Sequence, residues 1–224
     1  AKSRPWDDGY SIAEITSDPD ERNIRFDVAA LRALAKRSTV IFVPNRVGGR
    51  GRSSDYTNCG KFLFDLLPAI RERSGGELTI IAGNPSQKFS NAELVTSCGV
   101  HDLIPDAPNR DELKMIMRTS NIVVGLYSVD QYGGTASREA VELGATPLWI
   151  DNHEYSLLAK RADFKLLAKD DFSDIVDVAA RLITAVRDED QELRHATSRL
   201  RDVVRNTCSY ETTTQGALAH MITQ

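Results

Sequence analysis

Cysteine is scarce in this sequence: 224 residues contain three, Cys59, Cys98 and Cys208. They are odd in number and far apart. No disulfide framework and no metal-ligand spacing is visible, so a reducing, cytoplasmic compartment is expected. Long apolar runs are missing too. None approaches the roughly 18–20 residues needed to span a membrane, and no secretory signal is present. There is no excess of positive charge: 28 Lys and Arg stand against 32 Asp and Glu, a net charge of -4. That balance excludes a strongly basic nucleic-acid footprint over the whole surface while leaving room for a local basic patch. The first residue is Ala1 rather than Met, which leads us to expect a piece of a longer chain.

What is present fits a folded α/β domain. Hydrophobic residues make up 41% and charged residues 27%, enough for a packed core and too apolar for wholesale disorder. The length allows one α/β domain with extensions or two small domains. Residues 1–37 stand apart as a lead-in. The segment from Ala1 to Arg22 has little periodicity, and residues 27–37 place Val28, Leu31 and Leu34 on one side of a short helix. Residues 38–224 are expected to form the domain itself.

From Thr39 onward, short apolar runs alternate with amphipathic segments. Strands are expected at Thr39–Val43, Leu78–Ala82, His101–Ile104, Asn121–Leu126, Pro147–Ile150 and Phe164–Leu167. Helices are expected at Asn58–Arg73, from Asn109 to about Thr119, and at Gly134–Leu143, Phe172–Val186, Asp190–Arg205 and Tyr210–Ile222. Asn109 with Glu112 resembles a capping box. Fully apolar strands separated by helices point to a parallel sheet covered on both faces, a doubly wound Rossmann-like domain over about Thr39–Leu167. Ligands of such sheets bind beyond the carboxyl ends of the strands, so the loops at that edge are the place to look.

Two loops stand out. The first, after Val43, holds Gly48, Gly49 and Gly51 with Arg46, Arg50 and Arg52, then reaches Lys61 near a helix start. Glycines permit close backbone approach, while arginine forks and a helix N-terminus both favour phosphate. Asp55 and Phe62 break the P-loop pattern, and the dinucleotide fingerprint is absent. A solvated basic loop accounts for these residues equally well. The second loop, Tyr127–Gly134, leads into the helix that carries Glu139. The amides at the start of that helix suit a phosphate or sugar hydroxyls. Glu139, one turn in, can reach back to the same place and accept two hydrogen bonds from a ribose. Read from the residues alone, an exposed helix glutamate is the plainer account.

The run from Gln131 to Leu148, with Gly133-Gly134-Thr135, Glu139-Ala140-Val141 and Gly144-Ala145-Thr146-Pro147, resembles the signature of retaining GT-B glycosyltransferases (the glycosyltransferase family 4-like, or group 1, enzymes). Asn45-Arg46 resembles that family's Gly-Arg after the first strand of the donor domain, and Gly60-Lys61 its Lys-Gly region. Tyr210–Ala219 resembles its terminal helix, and Trp6–Val28 its interdomain connection. The resemblance covers nearly the whole chain and implies the C-terminal, donor-binding half of such an enzyme.

It implies further that Arg46 and Lys61 hold the donor diphosphate and stabilise the leaving nucleotide, which makes a metal unnecessary. Glu139 binds the ribose, and Gly133, Gly134 and Thr135 face the sugar and phosphates. The loop near Asp106–Asn109 lines the base. The donor is a nucleotide sugar such as a UDP- or GDP-hexose. An N-terminal acceptor domain is required in cis or from a partner chain. The pattern departs at Gln131, where the family has its first Glu, and in the longer loop whose Arg50, Arg52 and Tyr56 could meet an acceptor. His153, after the Pro147–Ile150 strand, is a candidate donor contact, although a polar loop explains it too. Competing readings are an epimerase or phosphorylase of the same architecture, a non-catalytic nucleotide-sugar-binding module, and a nucleic-acid-modifying glycosyltransferase.

Overall fold

A computed structural model describes residues 11–47, 62–85, 90–102, 108–126, 135–169 and 171–208. The lead-in is more structured than its composition suggests. A short helix α1 (Ile12–Thr16), capped by Ser11, buries Ile15, and a 3-10 turn follows at Glu21–Asn23. Helix α2 (Val28–Arg37) starts where Asp27 accepts a hydrogen bond from the Ala30 amide, and it buries Leu31 and Leu34.

The sheet is parallel, in the order β2-β1-β3-β4-β5. Strands β1 (Thr39–Val47) and β2 (Leu78–Pro85) run longer than the apolar cores that predict them. Their register shifts between Val43 and Arg46, where Pro44 lacks an amide hydrogen for the ladder. Strand β3 (Ile122–Gly125) lies on the other side of β1, followed by β4 (Thr146–Ile150) and the short β5 (Leu167–Ala168). The strand expected at His101–Ile104 is, among the described residues, a single bridge from Val100 to Ile80 with the His101 amide donating to the Ile80 carbonyl.

Pro147 sits within β4 without breaking it. The Thr146 amide donates toward β3, to Asn121, so the missing donor of Pro147 faces the β5 side. Strand β5 pairs with β4 only from Trp149 onward, so no ladder bond is lost there.

A wide π-helical turn, Phe62–Leu66, leads into α3 (Leu67–Ser74). Helix α4 (Asn91–Cys98) follows β2, opened by a Ser90–Glu93 capping box. Helix α5 (Arg110–Thr119) is opened by the expected Asn109–Glu112 box, and α6 (Thr135–Glu142) precedes β4. Helix α7 (His153–Ala162) occupies the stretch read from sequence as a polar loop. The Asn152 side chain accepts from the Tyr155 amide, and Tyr155, Leu158, Ala159 and Ala162 form a buried stripe at helical spacing. Helices α8 (Phe172–Arg187) and α9 (Gln191–Cys208) complete the described chain. The helix expected at Tyr210–Ile222 lies outside the described residues.

Two helix groups cover the sheet. Helix α5 contacts both α2 and α6, and this group lies against β1, β3 and β4; α3 and α8 contact each other, with α8 against β1, β4 and β5. This is the doubly wound arrangement the alternating pattern predicts. Helix α9 packs on α6 and α7. Its Arg205 reaches inward to the buried Glu142.

Candidate functional site

Strand β1 has β2 on one side and β3 on the other. The chain therefore reverses its winding direction at β1, and in sheets of this kind ligands bind at the carboxyl ends of the strands flanking that point, here β1 and β3. The backbone of Arg46 stands at that end of β1, opposite Asn84 of β2. Helix α6 returns from the same edge. Its Ser137 hydroxyl accepts from Trp149 Nε1 at 2.7 Å, near the end of β4. After α6, Gly144 turns with φ +104° into the start of β4 at the opposite edge, a conformation that favours glycine.

Close packing fixes the α6 N-terminus over the sheet. A Cβ on Gly125 would come within 2.6 Å of Trp149 Cδ1 and 2.7 Å of Ser137 Oγ, so only glycine lets strand, helix and indole meet there. Trp149 is fully buried and stacks on Tyr155, with ring centroids 4.1 Å apart and planes 8° from parallel. It is a core residue, as its apolar strand predicts.

Helix α6 is unusual in its charges. Every residue from Ser137 to Glu142 is buried, and three of them are charged. Each finds a partner on a different helix, as buried charges require. Arg138 donates to Glu154 of α7 at 2.8 Å, Glu142 pairs with Arg205 of α9, and Glu139 pairs with Arg110 of α5. Beside the Arg138 pair, burial pushes the Cys208 thiol up to about 11.

The Glu139 carboxylate is 6% exposed. Arg110 meets it end-on: Nη1 donates to Oε2 at 2.8 Å and Nη2 to Oε1 at 2.7 Å. The guanidinium Nε donates to Glu14 of α1, also at 2.8 Å. The hydrogen bonds to Glu139 raise the Arg110 pKa; burial opposes this, and Glu14 adds to the rise. The exposed helix position is thus not the one that Glu139 takes.

The base beneath Arg110 is also rigid. Glu112 closes the capping box of α5 and accepts from the Arg25 side chain and amide. Hydrogen bonds from Arg25 hold its carboxyl down at about 2, against the opposing effect of burial, with the Asn109 and Arg25 amides helping.

Thr135 is the first residue of α6 and half-buried at the same edge. His153 is the first residue of α7 and exposed, immediately beyond the end of β4. Asn109, expected near the base, is the cap of α5. Lys61, Arg50, Arg52, Tyr56, Gln131, Gly133 and Gly134 lie outside the described residues, as does Asp106. The edge thus brings together Arg46 by its backbone, Thr135, Glu139 and His153. It adds Arg110 and Glu14, which sequence reading missed. The position of Arg110 directly after the capping residue Asn109 was the available signal. Its pairing with Glu139, 29 residues later, carried none.

Among the described residues, no group of three or more His, Cys, Asp or Glu is placed to hold a metal ion, and no helix is long and apolar enough to cross a membrane. Two surface grooves lie at the opposite edge, lined by Thr39 and Asn121 in one and by Asn121 and Thr146 in the other. These are the amino ends of the strands, away from the Glu139 site.

No family model matches the chain, and no curated protein matches it by sequence. Solved structures do match by fold. Anabaena HepE in complex with UDP and glucose superposes with a TM-score of 0.66 and 14% identity, over 96% of this chain and 56% of its own. A glycosyltransferase from Rickettsia africae gives a TM-score of 0.64 and 10% identity, over 96% of this chain and 55% of its own. Sucrose-phosphate synthase from Thermosynechococcus elongatus gives 0.60 and 15% identity, over 96% and 51%. The chain spans about half the length of each. It has the Rossmann-like fold of one half of a GT-B glycosyltransferase.

Proposed function

We propose that this chain is the nucleotide-sugar-binding half of a two-domain glycosyltransferase, which moves a hexose from a nucleoside-diphosphate sugar to an acceptor hydroxyl. One observation carries the reading. A buried carboxylate, Glu139, sits one turn into the helix at the sheet's carboxyl edge, in a fold shared over 96% of the chain with a protein solved with UDP and glucose.

In this scheme Glu139 accepts from the ribose hydroxyls. The amides of Gly133, Gly134 and Thr135, at a helix N-terminus, face the sugar and phosphates. Arg46 and Lys61 hold the diphosphate and stabilise the charge that develops on the departing nucleotide, a role that positive groups fill without a metal. Gln131 offers the sugar a neutral amide where the resembled family has a carboxylate. His153, exposed at the start of α7, is assigned to the donor sugar, and Arg50, Arg52 and Tyr56 to the acceptor side. The second half of the enzyme is supplied in cis or by a partner chain. A cytoplasmic setting is in keeping with the scarcity of cysteine, three in 224 residues.

Calorimetric titration with UDP, GDP, ADP and TDP, paired with a transfer assay, tests the proposal. The chain alone should bind one of these nucleotides saturably and transfer no sugar. Robust turnover by this chain alone would contradict its assignment as one half of the enzyme.

A further inference from the structure

We infer that Arg110 is the positioning residue for Glu139: its fork fixes the carboxylate plane and leaves one outward-facing acceptor site on each oxygen, either of which can take a ribose hydroxyl. The inference rests on the donor-half reading above and names a residue that the sequence resemblance does not point to.

The geometry supports it from both sides of the ion pair. An ionised carboxylate offers about four acceptor sites and takes a bidentate guanidinium on two of them. Arg110 fills two, through Nη1 at 2.8 Å and Nη2 at 2.7 Å. The Arg110 fork cannot swing freely, because its Nε is held at 2.8 Å by Glu14. Its backbone is held at the head of α5 by the Asn109–Glu112 box, itself tied to Arg25. On the other side, α6 is held by the Arg138–Glu154 and Glu142–Arg205 pairs and by the Trp149–Ser137 bond. A carboxylate whose neighbours are locked on both sides presents its remaining lone pairs in one orientation, at no cost when the ligand arrives.

A merely structural Arg110 would affect all ligands alike, whereas a positioning Arg110 affects only those with ribose hydroxyls. The test therefore compares two ligands on three proteins. The ligands are the tightest binder among UDP, GDP and ADP, and its 2′,3′-dideoxy counterpart. The proteins are the wild-type chain, Arg110→Met and Arg110→Lys, each checked for folding by circular dichroism.

The wild-type chain should prefer the ribonucleotide. In Arg110→Met the ribonucleotide affinity should fall about tenfold or more, the loss expected for a charged hydrogen-bond arrangement. Affinity for the dideoxy form should hold, so that the preference collapses. Arg110→Lys keeps the charge and loses the fork, and should lose part of the preference; it also carries the test if the Met variant does not fold. A folded variant with the full wild-type preference would overturn the inference and leave the donor-half reading standing. A gain in ribonucleotide affinity would overturn it as well, since Arg110 would then be blocking the carboxylate. Failure of the wild-type chain to bind any of these nucleotides would overturn both readings, and the wild-type titration alone tells that case apart.

Discussion

Arg110 and Glu139 face each other end-on, with Nη1 and Nη2 at 2.8 and 2.7 Å from the two carboxylate oxygens, and the remaining Nε of Arg110 is held by Glu14. The pair joins the head of α5 to the second turn of α6 at the edge where a donor nucleotide would lie. Arg110 is 38% exposed while Glu139 is 6% exposed, so the partners do not depend on the pair equally. Glu139→Ala leaves Arg110 with Glu14 and with water. It should cost only about 1–2 kcal/mol of stability, measured by urea denaturation.

The Arg138–Glu154 pair should behave differently. Arg138 is fully buried and Glu154 is 4% exposed. Glu154→Ala takes the carboxylate partner from a buried guanidinium and should cost about 3–5 kcal/mol. The double variant Arg138→Met, Glu154→Leu should recover much of that loss, because it removes both charges and refills the space. A double variant as unstable as Glu154→Ala would argue against this account.

Stability should fall in acid through Glu112. The hydrogen bonds from Arg25 hold its carboxyl at about 2, well below the usual carboxylate value of 4.5. A carboxyl depressed in the folded state contributes stability that is present above its unfolded pKa and lost as the pH falls toward the folded one. Glu112→Gln should therefore be less stable than wild type by about 1–3 kcal/mol at pH 7. The gap should narrow between pH 4.5 and pH 2, and denaturation curves over that range would show it. A gap independent of pH would mean that the charge on Glu112 is not what stabilises α5.

Gly125→Ala places a methyl 2.6 Å from Trp149 Cδ1 and 2.7 Å from Ser137 Oγ. Overpacking of this kind costs about 1–3 kcal/mol. It should also shift the fluorescence of Trp149, whose ring is held by Ser137 and Tyr155. An unchanged spectrum would mean that the strand end has room to move.

Much of the fold was legible because it is local. The β-branched runs at Thr39–Val43 and Asn121–Leu126 and the Asn109–Glu112 box each signal structure within a few residues. Helix α7 was missed because Asp151-Asn152-His153 reads as polar, although the Tyr155, Leu158, Ala159 and Ala162 spacing was there to find. The Ser90–Glu93 box was equally open to reading.

The place of Glu139, one turn into a helix, was legible in the sequence. Its partner was not. Arg110 lies 29 residues away, and Arg205 lies 63 residues from Glu142. Pairings across helices depend on how those helices pack, which no local pattern states. The burial of Ile15 and the reach of Glu14 to Arg110 are likewise tertiary facts, hidden in a lead-in that has no periodicity of its own.

The most direct test of the central claim is calorimetric titration of the wild-type chain and of Glu139→Ala with UDP, GDP, ADP and TDP. The account predicts saturable binding of one nucleotide by the wild-type chain and an affinity about tenfold or more lower in the folded variant. Equal binding by both proteins would remove Glu139 from the site, and no binding by the wild-type chain would contradict the donor-half reading itself.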